Sequence, residues 1–428
     1  KVEANFAYCI FFVIMNSSDD SSDEADYEIN FSPKYFLRCH SKHRKDAADV
    51  QTNVWECAFK PPDDDDDDTE SSNIVATCGG NSICFIDIKN GKVMKKYYSS
   101  KSGENFFTLS WTKIKGHSIL AAGGSVQMIN FITYEEGYCF HEEKFERSII
   151  GVKVGITSLK FHPVVTNILY CSCSNGRILV MNIGYPTAPD YTINLQILKQ
   201  YEVHCEVFLL VYYLNKELIL GTSDDGIYCW KGNPEIMSSS KSDNSKVLLQ
   251  FPGRPLALTN APSLVDTVEV LENGLIASKC ALRGSIYIWN IDEVIKDSIV
   301  QDVTLRINPL YKLEWSNTDN YFMYLGYDSG LKYLVCGDDK GAIWTYDIKN
   351  IIKNSNTPEN KNVTSDGMNE SNEMIQPVTI FEWPNLEDAY ASRKRKLNLN
   401  VYDIVINKVI LSRKRKISRL TEPTKKTK

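Results

Sequence analysis

Residues 332–348 read KYLVCGDDKGAIWTYDI, and this stretch decides the fold. A strand of small and β-branched residues is followed by a turn rich in Asp and Gly, and then by a strand rich in aromatic residues. Glycine supplies the positive φ that a tight hairpin turn needs, and aromatic and β-branched side chains fill both faces of a sheet. The stretch therefore predicts a β-hairpin packed between neighbouring sheets.

The same module recurs along the chain. Five more copies are found, three of them clear and two looser: 168–184, 217–232 and 274–292, then 73–97 and 119–132. Their intervals are near the ~40–45 residues of a WD40 blade. We therefore predict an all-β fold, a seven-bladed WD40-type β-propeller whose last blade could be incomplete.

The predicted seventh blade depends on both ends of the chain. KYFLRCHSK, at residues 34–42, is expected to supply its outer strand and so to close the ring. LNLNVYDIVINKVIL, at residues 397–411, offers one or two more strands, but no further turn and aromatic strand follow it. Either the ring is short of strands or the natural C-terminus is different.

Composition divides the 428 residues into an acidic body and a basic end. The formal net charge is −6, yet residues 391–428 hold 13 lysines and arginines against two acidic residues. We predict a polar, acidic and flexible segment at 1–33, the propeller at 34–390 and a basic tail at 391–428. Within the propeller we expect an acidic loop at 61–72 and a disordered loop at 354–376.

Membrane, metal and cofactor functions are not expected. The longest apolar run, residues 6–15, is about half of the ~20 residues that a membrane-spanning helix needs. The 12 cysteines are scattered in apolar strings, which is typical of buried free thiols in a reducing compartment. The close pair Cys171 and Cys173 lacks the spacing and the nearby histidines of a zinc site.

Catalysis is not expected either. The six histidines are dispersed, and the glycines lie in hairpin turns rather than in a phosphate-binding loop that opens a helix. His204 and Cys205 form an adjacent Cys/His pair, and neighbours on a strand point to opposite faces. The sequence therefore offers no assembled pair of nucleophile and base.

Several longer stretches of sequence carry a family resemblance: VWECAFKP (54–61), VATCGGNSICFIDIKNGKVMKKY (75–97), ENFFTLSW (104–111), GDDKGAIWTYDIKNII (337–352) and IFEWP (380–384). Together they resemble the WD-repeat domain of the leucine-rich repeat and WD repeat-containing family that associates with the origin recognition complex. The resemblance implies a nuclear, non-catalytic chromatin reader and scaffold. Such a protein would bind trimethylated histone H3 or H4 tails in nucleosomes, and would recruit or stabilise origin recognition complex subunits at heterochromatin for DNA replication initiation.

A more distant resemblance is to the embryonic ectoderm development family, the WD-repeat subunits of the Polycomb methyltransferase. ENFFTLSWTKIKGHSILAAGG (104–124) and ITSLKFHPVVTNILYCSCSNGRILVMNI (156–183) carry it. That family binds trimethyl-lysine in an aromatic cage at one mouth of the propeller channel. The resemblance places the cage aromatics on Trp55, Phe107 and Phe322, with Tyr321 beside them in a supporting position.

The residues themselves leave two interpretations open. Trp55 and Phe107 each stand four residues before the large residue that ends their inner strand, whereas the third blade has Thr157 at that position. An aromatic is therefore not required by the module. These side chains either form a cage for a quaternary ammonium, which negative ring faces attract, or line the channel as ordinary core aromatics.

Other functions also fit parts of the sequence. The motifs SRKRK (392–396) and LSRKRK (411–416) are dense enough for nuclear import or for non-specific nucleic-acid contact by the basic tail, and an unpartnered solvated tail fits them equally. For the propeller, the alternatives are a Polycomb-type regulatory subunit of a histone methyltransferase and a general WD-repeat interaction scaffold.

Overall fold

The computed structural model describes the backbone of the strands at 9–16 and 29–37. It describes in full residues 37, 39–40, 53–63, 72–145, 154–234, 244–252, 264–280, 283–296, 299, 301–318, 320–355, 374–382, 406 and 408–411. Nearly all regular structure in these ranges is β-strand. The short helical elements there are a 3-10 turn and two helices: Leu214–Lys216, α1 (Ile291–Val294) and α2 (Lys349–Ser355).

The described strands from β3 onward form six blades in chain order, each built on four antiparallel strands, and blade four gains a fifth strand. Blade one contains β3 (Glu56–Phe59), β4 (Ile74–Gly79), β5 (Ser82–Asp87) and β6 (Lys92–Tyr98). Blade two contains β7 (Phe106–Ile114), β8 (His117–Gly124), β9 (Met128–Thr133) and β10 (Cys139–Lys144). Blade three contains β11 (Ile156–Phe161), β12 (Ile168–Cys173), β13 (Arg177–Asn182) and β14 (Gln196–Glu202).

The later blades are less regular. Blade four contains β15 (Val207–Tyr213), β16 (Leu218–Ser223), β17 (Gly226–Lys231) and β18 (Lys246–Gln250), and β22 (Val303–Arg306) adds a parallel fifth strand. Blade five contains β19 (Thr267–Val270), β20 (Leu275–Cys280), β21 (Ser285–Asn290) and β23 (Tyr311–Glu314). Blade six contains β24 (Gly326–Asp328), β25 (Tyr333–Gly337), β26 (Ile343–Asp347) and β27 (Thr379–Phe381).

The hairpin turns carry the glycines that the sequence places there. Gly176, between β12 and β13, has φ +79°, and a Cβ at this position would lie 2.1 Å from the carbonyl oxygen of Val203. Glycine is the residue that tolerates both the left-handed backbone and this close approach. The turn chemistry that predicted the repeat is therefore the chemistry that closes the hairpin.

The core lies between blades rather than within one sheet. The cluster between blades two and three includes Ile129, Phe131, Leu169 and Leu179, all of them buried. Polar side chains on the inner strands also join neighbouring blades by accepting backbone hydrogen bonds. The N–H of Leu109 donates to Glu56 (3.2 Å), that of Leu159 to Thr108 (3.0 Å), that of Leu210 to Ser158 (3.0 Å) and that of Leu325 to Thr267 (3.2 Å).

The predicted number of blades is wrong: the described residues form six blades rather than seven. Where the inner strand of a seventh blade would lie, the described part of the chain has Ile406 and Lys408–Leu411, and Lys408 makes a single parallel bridge to Tyr324. The Ile406 N–H donates to the Asp338 carbonyl (2.9 Å), and Cys57 of blade one contacts the Lys408 carbonyl at 4.0 Å. This segment packs on blade six and reaches blade one, but one segment without a hairpin partner does not make a blade.

The N-terminal strands form a separate two-stranded sheet. β1 (Cys9–Asn16) pairs antiparallel with β2 (Ile29–Leu37), so the strand predicted within 34–42 pairs with β1. Just beyond it, the buried His40 ring contacts blade one through Thr77 Oγ1 (2.8 Å), the Gly79 carbonyl (3.0 Å) and Ser82 Oγ (3.1 Å). The N-terminal part of the chain is thereby attached to blade one.

The predicted division into segments stays a prediction. Most of the acidic loop at 61–72 and of the disordered loop at 354–376 lies outside the described residues. So do the motif SRKRK and most of LSRKRK, although residues 406 and 408–411 of the predicted basic tail are described and pack against the propeller. Among the described residues, no helix is long and apolar enough to cross a membrane.

Candidate functional site

The inner strands of blades two, three and four begin with an irregularity in their pairing. In each, one residue is skipped in the ladder: Phe107 between Phe106 and Thr108, Thr157 between Ile156 and Ser158, and Phe208 between Val207 and Leu209. A bulge of this kind bends the strand and redirects a side chain, and it is common next to functional sites. The register that the sequence singled out is therefore a set of bulges at one mouth of the channel.

Three of the four predicted site residues come together at this mouth. The Trp55 ring lies 5.7 Å from that of Phe107 at an interplanar angle of 87°, and 6.2 Å from that of Phe322 at 86°. Trp55 comes from the start of blade one, Phe107 from blade two and Phe322 from the segment that leads into blade six. All three side chains are partly exposed.

The geometry of this corner suits a compact cation. A cation about 4.5 Å above two perpendicular rings would hold their centroids roughly 6.4 Å apart, and cation–π attraction operates within ~6 Å of a ring centroid. The observed separations of 5.7 and 6.2 Å are close to that value. Perpendicular contact is also the preferred packing of aromatic pairs, so the geometry fits both interpretations of the sequence.

Tyr321, the fourth predicted residue, lies at the edge of this group. Its ring is 5.7 Å from that of Phe322 at an angle of 72°, and the residue is 40% exposed. The indole Nε1 of Trp55 is inaccessible to solvent and has no hydrogen-bond partner among the described residues. Tyr321 therefore stands where it could cover a ligand, whereas the Trp55 donor is buried and out of a ligand's reach in this conformation.

Sequence reasoning missed a further aromatic, Phe208 of blade four. Its ring meets that of Phe322 at 5.4 Å and 88°, and the residue is 4% exposed. The signal was present, because Phe208 stands four residues before Tyr212, the same spacing as in blades one and two. Thr157, at this register in blade three, instead donates its hydroxyl to the Val207 carbonyl (2.5 Å).

A buried ion pair lies directly behind Phe322. Asp266 and Lys279 of blade five form a salt bridge with both side chains 0% exposed, and Asp266 Oδ2 also accepts the N–H of Phe322 at 3.2 Å. Burial raises the pKa of the Asp266 carboxyl, and the nearby Lys279 ammonium offsets part of that rise. Lys279 was visible in the sequence as a lone lysine within the apolar strand LIASKC.

The mouth also carries two acidic side chains, Glu206 and Asp224. Glu206 lies immediately before β15, next to the blade-four bulge, and burial together with the Asp224 charge raises its pKa. Burial and the Asp225 charge likewise raise the pKa of Asp224, in the turn between β16 and β17. These carboxylates give this side of the channel a negative potential, which favours a cationic ligand.

Two groups of side chains place three potential metal ligands within 4.8 Å of one another: Cys39, His40 and Cys84, and His204, Cys205 and Asp225. In the first, both ring nitrogens of His40 already have hydrogen-bond partners, and the Lys96 ammonium contacts the Cys39 carbonyl. These contacts favour a structural role. That no metal or cofactor is bound stays a prediction.

The second group corrects one expectation. His204 and Cys205 do not point apart, because they lie in the loop before β15 rather than on a strand. The His204 Nε2 atom is 2.8 Å from an Asp225 oxygen, and His204 is 77% exposed. Burial raises the pKa of the Cys205 thiol, which keeps the sulfur protonated and therefore a poor nucleophile. All eleven cysteines in the described ranges are free.

These features define a class of protein: a WD-repeat β-propeller with a cluster of aromatic side chains at one mouth of its channel. The chain matches the family model for the WD domain of leucine-rich repeat and WD repeat-containing protein 1 over residues 21–385, and it belongs to that family. The sequence-based assignment to this family is thereby confirmed.

Relatives of the same name are found in several vertebrates. The chain is 29% identical over 390 residues to the protein of Xenopus tropicalis. This alignment covers 88% of this chain and 52% of that protein. It is 30% identical over 333 residues to the Xenopus laevis protein (74% and 44% covered) and 28% over 344 residues to the human protein (78% and 50%). The chain thus spans about half the length of the curated relatives it matches.

Solved structures with a similar fold include chains of Polycomb repressive complex 2. One is a humanized mutant of the Chaetomium thermophilum complex, with a TM-score of 0.51, 14% identity and coverage of 70% of this chain and 68% of that chain. Another is an active form of the complex in its basal state, with a TM-score of 0.51, 16% identity and 70% and 67% covered. At these identities the likeness shows the propeller fold.

Proposed function

We propose that this propeller is a non-catalytic chromatin reader and scaffold whose channel mouth binds trimethylated lysine of histone H3 or H4 tails. The observation that carries the proposal is the contact of the Trp55 ring with two rings nearly perpendicular to it, those of Phe107 and Phe322. A quaternary ammonium cannot donate a hydrogen bond, so a site for it must rely on ring faces, and three aromatic rings meet here.

The surroundings of the corner support a cationic peptide as its ligand. Glu206 and Asp224 give the mouth a negative potential, and the chain outside residues 391–428 is strongly acidic. Tyr321, at 40% exposure, has room to close over the methyl groups from the outer side.

Affinity at this site alone will be modest. Each ring contributes about 0.5–2 kcal/mol to a cation, so three rings give a few kcal/mol before the cost of ordering the peptide. Chromatin binding therefore depends on several contacts made at once, through neighbouring nucleosomes or a partner complex. The proposed role is consistent with a scaffold rather than with a stand-alone receptor.

The test of the reader is a titration of the full chain with H3 and H4 peptides that carry zero or three methyl groups on the same lysine. The trimethyl peptide should bind at least tenfold more tightly, and Trp55→Ala should abolish that difference while its thermal unfolding stays cooperative. Trp111→Ala, in the same cluster but away from the mouth, is the control for general loss of packing. Equal binding of both peptides by the unaltered chain would refute the reader.

The partner we propose is the origin recognition complex, with the propeller recruiting or stabilising it at heterochromatin in the nucleus for replication initiation. Support comes from the family membership and from the resemblance on which the sequence was first assigned. Tagged chain purified from nuclei should bring down origin recognition complex subunits. Recovery of a SET-domain methyltransferase instead would favour a Polycomb-type regulatory subunit, and recovery of neither would leave a general interaction scaffold.

A further inference from the structure

Phe322 lies on a short segment that hydrogen bonds hold at two points. This segment, residues 316–318 and 320–323, connects the outer strand of blade five to the inner strand of blade six. Thr318 Oγ1 and Asn320 Nδ2 (2.9 Å) both donate to Asp339 Oδ2 in the β25–β26 turn. At the other end, the Phe322 N–H donates to Asp266 Oδ2 at 3.2 Å. The segment is therefore held from blade five and from blade six.

The backbone of Phe322 adopts a conformation that aromatic residues rarely take. Its φ is +67°, in the left-handed region that glycine and asparagine favour. A residue stays in this region only when its surroundings impose it, and such residues cluster at binding sites. The hydrogen bond to Asp266 is the polar contact that imposes it here.

Burying the Asp266–Lys279 ion pair costs free energy, and this cost is high if the pair serves only to hold one hydrogen bond. Both side chains are 0% exposed, and Lys279 Nζ also lies 4.4 Å from the centre of the Trp315 ring. A buried ion pair seldom stabilises a fold more than apolar side chains of the same volume would. Its presence at this position therefore calls for a specific role, and Asp266 accepts the N–H of Phe322 at the mouth.

The Phe322 ring is fixed from its other side by Phe208. The two rings meet edge to face at 5.4 Å, and Phe208 packs with the buried Leu264 beneath Phe322. The Phe322 ring also meets that of Trp55, at 6.2 Å. Phe322 thus contacts an aromatic of blade four and an aromatic of blade one.

We propose that Asp266, paired with Lys279, and Phe208 are positioning residues that hold Phe322 as a wall of the trimethylammonium site. The proposal rests on the proposed function for its ligand. Asp266 sets the backbone through its oxygen, and Phe208 sets the angle of the ring. Neither residue touches the ligand.

The test compares two double variants that differ only in the hydrogen-bond acceptor. Asp266→Asn with Lys279→Met removes both buried charges but leaves an amide oxygen for the Phe322 N–H. Asp266→Leu with Lys279→Met removes the charges and the acceptor. In the full chain, the first should bind trimethyl-lysine peptide within about twofold of wild type, and the second about tenfold more weakly. Equal affinities for the two folded variants would overturn the role of Asp266.

A second measurement needs no ligand and includes the single variant Phe208→Leu, so it still tests the proposal if a double variant fails to fold. Shifts are compared only among variants that unfold cooperatively. 4-Fluorophenylalanine placed at position 322 gives a ¹⁹F shift that senses the rings of Trp55 and Phe208. The shift should be kept in the asparagine double variant, and should move toward the free amino-acid value in the leucine double variant and in Phe208→Leu. Phe140→Leu, which packs on Phe131 in blade two, is the control. An unchanged shift in Phe208→Leu would overturn the role of Phe208.

The two measurements separate this inference from the proposed function. If no chain binds the peptide but the ¹⁹F shift follows the acceptor and Phe208, the positioning stands and the reader fails. If wild type binds trimethyl-lysine but the leucine double variant and Phe208→Leu bind equally well with unchanged shifts, the reader stands and the positioning fails.

Discussion

The ring of Phe322, before blade six, meets the ring of Trp55, before blade one, at 6.2 Å and nearly at right angles. The first and last blades therefore approach each other at the mouth although no seventh sheet stands between them in the described chain. Lower down, the gap is occupied by Ile406 and Lys408–Leu411. The site is thus formed by the closure of the ring, and whatever loosens that closure should weaken the site.

The ring of Trp55 should matter for binding, whereas its buried and unpaired indole N–H should not. Trp55→Phe keeps an aromatic wall, so we expect affinity for the trimethyl peptide to stay within about threefold of wild type. Trp55→Ala removes the wall and should lower the affinity about tenfold or more. Calorimetric titration measures both. Trp111→Phe, whose own N–H donates to the Ala58 carbonyl, is the control and should leave affinity unchanged.

The position of the C-terminal segment, Ile406 and Lys408–Leu411, can be tested through Gly337, which lies against it. A Cβ on Gly337 would lie 2.2 Å from the Ile406 carbonyl oxygen, so Gly337→Ala should lower the free energy of unfolding by about 1–3 kcal/mol. In a chain that ends at residue 405, the same substitution should cost less than about 0.5 kcal/mol, because the clashing atom is gone.

The control for this cycle is Gly123→Ala, where a Cβ meets the Ile156 side chain at 2.9 Å between blades two and three. Its cost should be the same in the long and the short chain. Urea unfolding of the four glycine variants decides the matter. A Gly337→Ala penalty that survives the truncation would show that the segment does not lie where we describe it.

Removing one member of the buried ion pair should lower the free energy of unfolding far more than replacing both members does. Lys279→Met alone leaves the Asp266 carboxylate buried without its cation, and we expect a loss of about 3–5 kcal/mol in the free energy of unfolding. Adding Asp266→Leu should recover most of that loss. Lys101→Met, which breaks the partly exposed pair with Glu142, should cost at most about 1 kcal/mol. If the single and double variants at Lys279 unfold alike, the pair is not electrostatically coupled.

Glu206 should make stability depend on pH in a defined direction. Burial and Asp224 raise its pKa above the ordinary value of 4.5, so the folded chain holds this proton more readily than the unfolded chain does. Ionisation of Glu206 therefore lowers the free energy of unfolding progressively as the pH rises above about 4.5, and the full penalty is present above its native pKa. Below about pH 4.5 the penalty vanishes. Glu206→Gln should be more stable than wild type at pH 7 and equal to it at pH 4.

The measurement is the urea midpoint of each chain at the two pH values. Glu202→Gln, at an exposed carboxylate on the neighbouring strand β14, is the matched control. If the urea midpoint of Glu206→Gln changed as that of the control does at both pH values, the assignment of a destabilising, partly buried carboxylate at the mouth would be contradicted.

Most of the propeller could be predicted from local chemistry. Each hairpin needs a glycine or similar residue in its turn and apolar residues on both strand faces, so six blades left six visible copies of one pattern. The error in the blade number has a physical cause. A segment such as 406–411 that fills a gap through side-chain packing and one bridge has no turn and no repeat, and only the folded ring shows where it goes.

The site was predictable to a different degree at each residue. Trp55 and Phe107 share a spacing to the end of their strands, and the same spacing would have revealed Phe208. Phe322 follows no such rule, because its place depends on a positive φ and on a contact with Asp266 of another blade. Long-range contacts between loops leave no periodic trace in a sequence.

The most direct test of the central claim is to compare a trimethyl-lysine peptide with its neutral isostere, in which carbon replaces the ammonium nitrogen. Shape and apolar area are the same, so any difference in affinity reports the attraction of a cation to the rings of Trp55, Phe107 and Phe322. We expect the charged peptide to bind about tenfold or more tightly, which corresponds to about 1.4 kcal/mol. Equal affinities, or tighter binding of the neutral peptide, would contradict a cation site at the mouth of this propeller.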